Sequence, residues 1–171
     1  MKRSVVIAFV SALAFGVGIL PAGAATTTVT YAIAQAAATP VCQCNDTSCG
    51  TTVIGYTVTG PGTGQFPPTP TYPSSGDFTL TFSVARVFPS DHCRMKSGTG
   101  TLDVAWNDST TTTGTFSFKA RDSKTLSLSG DITGGTSPVY PPNPWRGFVA
   151  YPPSPCLGGT VPASITLTPS T

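Results

Sequence analysis

Apolar and polar residues alternate at every second position through most of the chain after its first two dozen residues. Val29, Tyr31 and Ile33 form one such set, and Ile54, Tyr56 and Val58 a second. Phe78, Leu80, Phe82 and Val84 alternate with Thr79, Thr81 and Ser83. Leu102, Val104 and Trp106 follow, then Phe116, Phe118 and Ala120, then Leu126, Leu128 and Ile132, and finally Val161, Ala163, Ile165 and Leu167. Period two puts one set of side chains on a buried face and the other in solvent, which predicts half-buried β-strands. No stripe of helical period appears after the N-terminal segment.

The turns between these segments constrain the pairing. Ala120 opposite Leu126 and Phe118 opposite Leu128 leave Asp122-Ser123-Lys124 as a three-residue hairpin loop. Trp106 opposite Phe116 leaves a five-residue loop, Ser109 to Thr113, and keeps both apolar sets on one face. Strands near 78–88, 98–108, 114–121 and 125–133 therefore form a consecutive antiparallel meander. The predicted fold is all-β, an antiparallel β-sandwich or a small, partly closed β-barrel of six to eight strands. Twenty-nine Thr, a β-branched residue suited to the wet face of a strand, agree with this, as do 17 Pro, 18 Gly and no Glu.

Two stretches lack the alternation. Residues 60–76 are rich in Gly, Pro and Thr, and residues 137–156 hold Pro138, Pro141, Pro142, Pro144, Pro152, Pro153 and Pro155. Both read as loops, because proline cannot donate to a central sheet ladder. Phe148 to Tyr151 is a candidate short strand between prolines.

The first 24 residues change the picture of the rest. Lys2 and Arg3 precede an apolar run from Val5 to Leu20, and Pro21-Ala22-Gly23-Ala24 supplies small residues for cleavage. This is the pattern of a secretory signal peptide, removed after Ala24 or Ala25. The expected product is one secreted domain, residues 25–171, extracellular or periplasmic according to the host, with no membrane anchor after cleavage. Lys2 and Arg3 are two of nine basic residues, so the formal charge of +2 belongs to the leader; seven cations face seven acids, all Asp, in the remainder. No run of basic residues marks a nucleic-acid or anionic-membrane partner.

Export makes disulfides the default for Cys42, Cys44, Cys49, Cys93 and Cys156. Five is odd, so at least one thiol is free or pairs between chains. The expected bridges are Cys93–Cys156, which closes the longer loop, and one involving the 42–49 cluster, taken as Cys42–Cys49. The alternative for that cluster is soft-metal binding or thiol redox chemistry, with His92 or Cys93 as a further ligand.

No catalytic pattern stands out. His92 is the only histidine, and its neighbours Asp91 and Cys93 point elsewhere on extended backbone. Asp77, Asp108, Asp122 and Asp131 fall at strand ends or turns, where Asp bonds local backbone. Ser97-Gly98-Thr99-Gly100 lacks the lysine and helix of a phosphate loop and reads as flexible backbone before a strand. The expectation is a non-enzyme without cofactor or resident metal.

Tyr140, Trp145, Arg146, Phe148 and Tyr151 remain as candidate contact residues, set on a proline-stiffened loop that would meet a protein or carbohydrate partner. Two other readings stay open. The loop near Arg146 could serve a secreted protease inhibitor, or Trp145, Phe148 and Tyr151 could fold back over the core.

Overall fold

A computed structural model describes residues 28–45, 48–65, 72–151 and 157–169. The predicted leader, 1–24, and Cys156 lie outside the described residues, as do the side chains of Cys44, Cys49, Asp91 and His92.

Eight strands follow one another: β1 (Val29–Asn45), β2 (Ser48–Gln65), β3 (Ser75–Phe88), β4 (Asp91–Trp106), β5 (Thr111–Ala120), β6 (Thr125–Gly135), β7 (Pro144–Ala150) and β8 (Gly159–Leu167). Each pairs antiparallel with its neighbour in sequence, and β8 pairs with β1, so the sheet closes into an up-and-down barrel. Closure removes both sheet edges. Of the two predicted architectures, the barrel is the one formed, and its closure is complete.

Eight strands make an interior just wide enough for side chains to fill. Tyr31, Phe78, Trp106 and Tyr140 pack at one end, and Phe82, Phe116, Phe118 and Trp145 continue the column. The interior is thus a core, not a channel. Outward positions on the same strands carry Thr79, Thr81, Ser83, Asp103, Thr115, Ser117, Ser127 and Ser129.

The β5–β6 hairpin has the predicted register, with Phe118 opposite Leu128 and Ala120 opposite Leu126. The β4–β5 hairpin does not. Phe116 faces Gly100 and Phe118 faces Gly98, and the turn tightens to the residues after Trp106. Space decides this register. A β-carbon on Gly98 would lie 2.7 Å from Phe118 Cε1, so the glycine leaves room for the ring. Gly98 and Gly100 are therefore inward strand positions, not the flexible lead-in predicted. The tight turn is closed by Ser109, at φ 67°, and by Asp108 Oδ1, which accepts the Thr110 amide at 2.9 Å.

Bulges account for two breaks in alternation. Val41 pairs with Gly55 and Cys42 with Val53, so Ile54 is the extra residue and turns outward, while Val53 points in. Ile54 thus does not share a face with Tyr56 and Val58 as predicted. Ala34 and Gln35 are likewise both outward, between buried Ile33 and Ala36.

Both proline-containing segments depart from the loop reading. Residues 60–65 belong to β2, 75 and 76 to β3, and 66–71 lie outside the described residues. In the second segment only 136–143 is loop before β7 begins. That loop seals one barrel mouth: Tyr140 is buried, stacks on Trp106 at 5.1 Å and meets the Tyr31 hydroxyl at 2.6 Å. Tyr31 donates to the Pro73 carbonyl at 2.8 Å, which leaves Tyr140 to donate to Tyr31.

Candidate functional site

The mouth opposite Tyr140 is where β3 turns into β4 and β5 into β6. Arg86 and Phe88 end β3, Arg94 and Lys96 begin β4, and Lys119 and Arg121 sit at the end of β5. These residues line one cleft of about 530 Å³. Five of the seven cations after residue 24 converge there, from β3, β4 and the end of β5. Four of the seven acids, Asp77, Asp103, Asp108 and Asp131, lie toward the other end of the barrel, whereas Asp91 opens β4 at the cleft end. The absence of a basic run in the sequence does not carry over to the surface.

Register organises the cations. Arg86 is opposite Ser97, and Ser97 is opposite Lys119, so the three form a row across β3, β4 and β5. Directly opposed residues share a face, which places Arg86 and Lys119 outward on either side of Ser97. Arg121 follows Lys119 by two positions and is exposed as well.

Arg94 is held differently. Its guanidinium lies 5.1 Å from the Phe88 ring centre and 5.2 Å from that of Tyr151, and its Nη2 donates to the Ser123 carbonyl at 2.6 Å. Both rings are within cation–π range. Tyr151 in turn donates to the Met95 carbonyl. Lys96 Nζ stands 6.0 Å from the same Phe88 ring. The aromatic floor therefore fixes cations in place instead of presenting a bare apolar face.

Among the described side chains, Asp122 is the one carboxylate lining the cleft. Its Oδ1 accepts the Lys124 amide at 2.7 Å, and this bond, with Arg121 nearby, holds the carboxyl below the usual carboxylate range. The group is committed to shaping its turn and is a poor proton acceptor. The cleft is built to attract oxyanions: phosphate, sulfate or carboxylate.

The predicted contact residues do not assemble into a second surface. Trp145 is buried in β7 against Phe116, and Tyr140 is buried at the far mouth, so both belong to the core. The exposed Pro/aromatic loop is overturned because closing the barrel needs β7 between β6 and β8. Arg146 is held in that strand, opposite Ser129 and Thr166, and not on a projecting loop. Phe148 is 43% exposed on the barrel wall. Only Tyr151 reaches the cleft, through Arg94.

Among the cysteines, Cys93 is disulfide-bonded, and Cys156, its expected partner, lies outside the described residues. Cys42 has a free thiol, which removes it from the expected Cys42–Cys49 bridge. The bulges in β1 and β2 are the reason: they set Cys42 opposite Val53 and bring Cys44 opposite Cys49. Among the described residues no three His, Cys, Asp or Glu side chains gather as metal ligands.

Sequence reasoning missed the cleft because its cations are scattered from 86 to 121 and none falls in a run. The available signal was the register of the β5–β6 hairpin, which places Lys119 and Arg121 at one end of the meander. No protein-family model matches the chain, and no curated protein or solved structure matches it.

Proposed function

We propose that this is an exported, non-enzymatic binding protein whose contact surface is the basic cleft and whose ligand is anionic. The carrying observation is the convergence of Arg86, Arg94, Lys96, Lys119 and Arg121 on a cavity of small-molecule size, about 530 Å³. Binding is favoured over catalysis by the chemistry of the lining. Arginine stays protonated and offers no general base, and Asp122 is engaged by its turn. Export is supported by the leader and by the disulfide at Cys93, a bond of oxidising compartments. The hydroxyl-rich outer wall suits water better than lipid, since a membrane barrel needs an outward apolar band.

The test is titration of the purified protein with inorganic phosphate, followed residue by residue through backbone NMR shifts. Shifts confined to residues near 86, 97 and 119–123, and lost in the Arg86→Ala/Lys119→Ala variant, support the reading. Shifts elsewhere, or none at millimolar phosphate, overturn it.

A further inference from the structure

The cleft is larger and more highly charged than one oxyanion needs. Among the described side chains, five cations against the one carboxylate of Asp122 leave a surplus of four positive charges around the cavity. A phosphate group brings about −1.5 to −2 charges at neutral pH. One such group would leave roughly half the surplus unmatched. The volume, about 530 Å³, lies in the range that takes whole organic ligands, not lone ions.

The arrangement of the cations points the same way. Arg86 and Lys119 are separated by two strand spacings, roughly 10 Å between their backbones, with Ser97 between them. Lys119 and Arg121, two residues apart along the strand, are separated by roughly 7 Å. Three of the exposed cations, Arg86, Lys119 and Arg121, thus stand at the corners of a triangle. Arg94 is pinned to one side by Phe88, Tyr151 and the Ser123 carbonyl, so it cannot swing freely to join the others on a single group.

We infer that the cleft takes an oligo-oxyanion: one small ligand carrying two or more phosphate or sulfate groups, seated across β3, β4 and β5. This rests on the anion-binding reading above and adds the valence and size of the ligand. One group sits between Arg86 and Lys119 over the Ser97 hydroxyl, and another between Arg121 and the fixed guanidinium of Arg94. The same chemistry is offered by a linear oligophosphate and by a sugar bearing several sulfates.

The experiment compares inorganic phosphate, tripolyphosphate, a multiply sulfated disaccharide and a short DNA duplex, by calorimetry at equal ionic strength on the purified protein. Tripolyphosphate or the sulfated disaccharide is expected to bind one to one, at least tenfold tighter than phosphate; whichever is tighter names the source. The tighter ligand is expected to lose affinity with salt about twice as steeply as phosphate, since more cations shed their counterions. Arg86→Ala/Lys119→Ala is expected to remove most of that advantage, whereas Arg146→Ala, on the far wall, leaves it intact. Phosphate binding as tightly as both oligo-oxyanions overturns the inference but spares the anion-binding reading. No binding by any of the four overturns both. Binding by the duplex alone overturns the small-ligand assignment and makes the cleft a nucleic-acid surface.

Discussion

Arg94 of β4 donates from Nη2 to the carbonyl of Ser123 at 2.6 Å, so one guanidinium ties the β5–β6 turn to the neighbouring hairpin. The bond also keeps Arg94 between two rings. Arg94→Ala is expected to lower stability by about 1 kcal/mol, the net worth of one solvent-exposed hydrogen bond. Amide exchange should quicken first at residues 121–125. Arg94→Lys keeps the charge but cannot reach the carbonyl and both rings together, so chemical denaturation should place it between the two. Equal stability of all three proteins would show that the tie is idle.

Gly98 makes room for Phe118. Gly98→Ala would bring a β-carbon to 2.7 Å from the ring and closer still to the Ser83 carbonyl. The expected cost is about 1–3 kcal/mol, as for overpacked cores. Adding Phe118→Leu should recover only part of it, because the backbone clash remains. Urea midpoints of the single and double variants check this.

Thr112 is fully buried, and its hydroxyl accepts the Trp106 indole N–H at 2.8 Å. Thr112→Val preserves shape and strands the donor. About 1–3 kcal/mol should be lost, the cost of one unsatisfied buried group, with a shift of Trp106 fluorescence. Thr112→Ser, which keeps the acceptor, should lose less.

Burial raises the phenols of the core tyrosines. Tyr140 is pushed up to about 12, and Tyr31 and Tyr56 are raised further, burial being the largest cause in each. In the unfolded chain these phenols ionise near pH 10. The native state therefore holds more protons above that pH, and stability falls as pH rises through 10 toward 12. Below pH 10 their contribution is complete. Thermal melts across this window should show the decline. Tyr140→Phe should reduce the slope.

Cys42 should alkylate in the folded protein without prior reduction, slowly because it is half-buried, whereas Cys93 should react only after reduction. Peptide mass spectrometry of both samples separates the two outcomes.

Much of the barrel was legible because alternation is local. Phe78 to Val84 and Val161 to Leu167 announce both their strands and their inward faces. What escaped were positions where the inward residue is small. Gly98 and Gly100 carry no apolar signal, yet they accept the rings of Phe118 and Phe116 from across the ladder. Pairing apolar with apolar therefore misplaced the β4–β5 register. Bulges at Ile54 and at Ala34-Gln35 shift phase without marking themselves by residue type. Pro144 suggested a loop, yet it begins β7 where β7 has no β8 partner, since that pairing starts at Arg146. The cleft escaped for another reason: it is a property of register, and Arg86 and Lys119 meet only once three strands are aligned.

Pairing of β1 with β8 has a consequence for how the molecule comes into being. Val29 bonds opposite Leu167, so the first described strand finds its second neighbour only when almost the whole chain is present. Closing so long a loop comes late, and contacts this distant in sequence slow folding. Until β8 arrives, β1 exposes an open edge and the column of rings lacks a wall. Were the chain exported as proposed, it would stay unfinished through its passage, and β8 would act as the latch that completes the barrel on the far side.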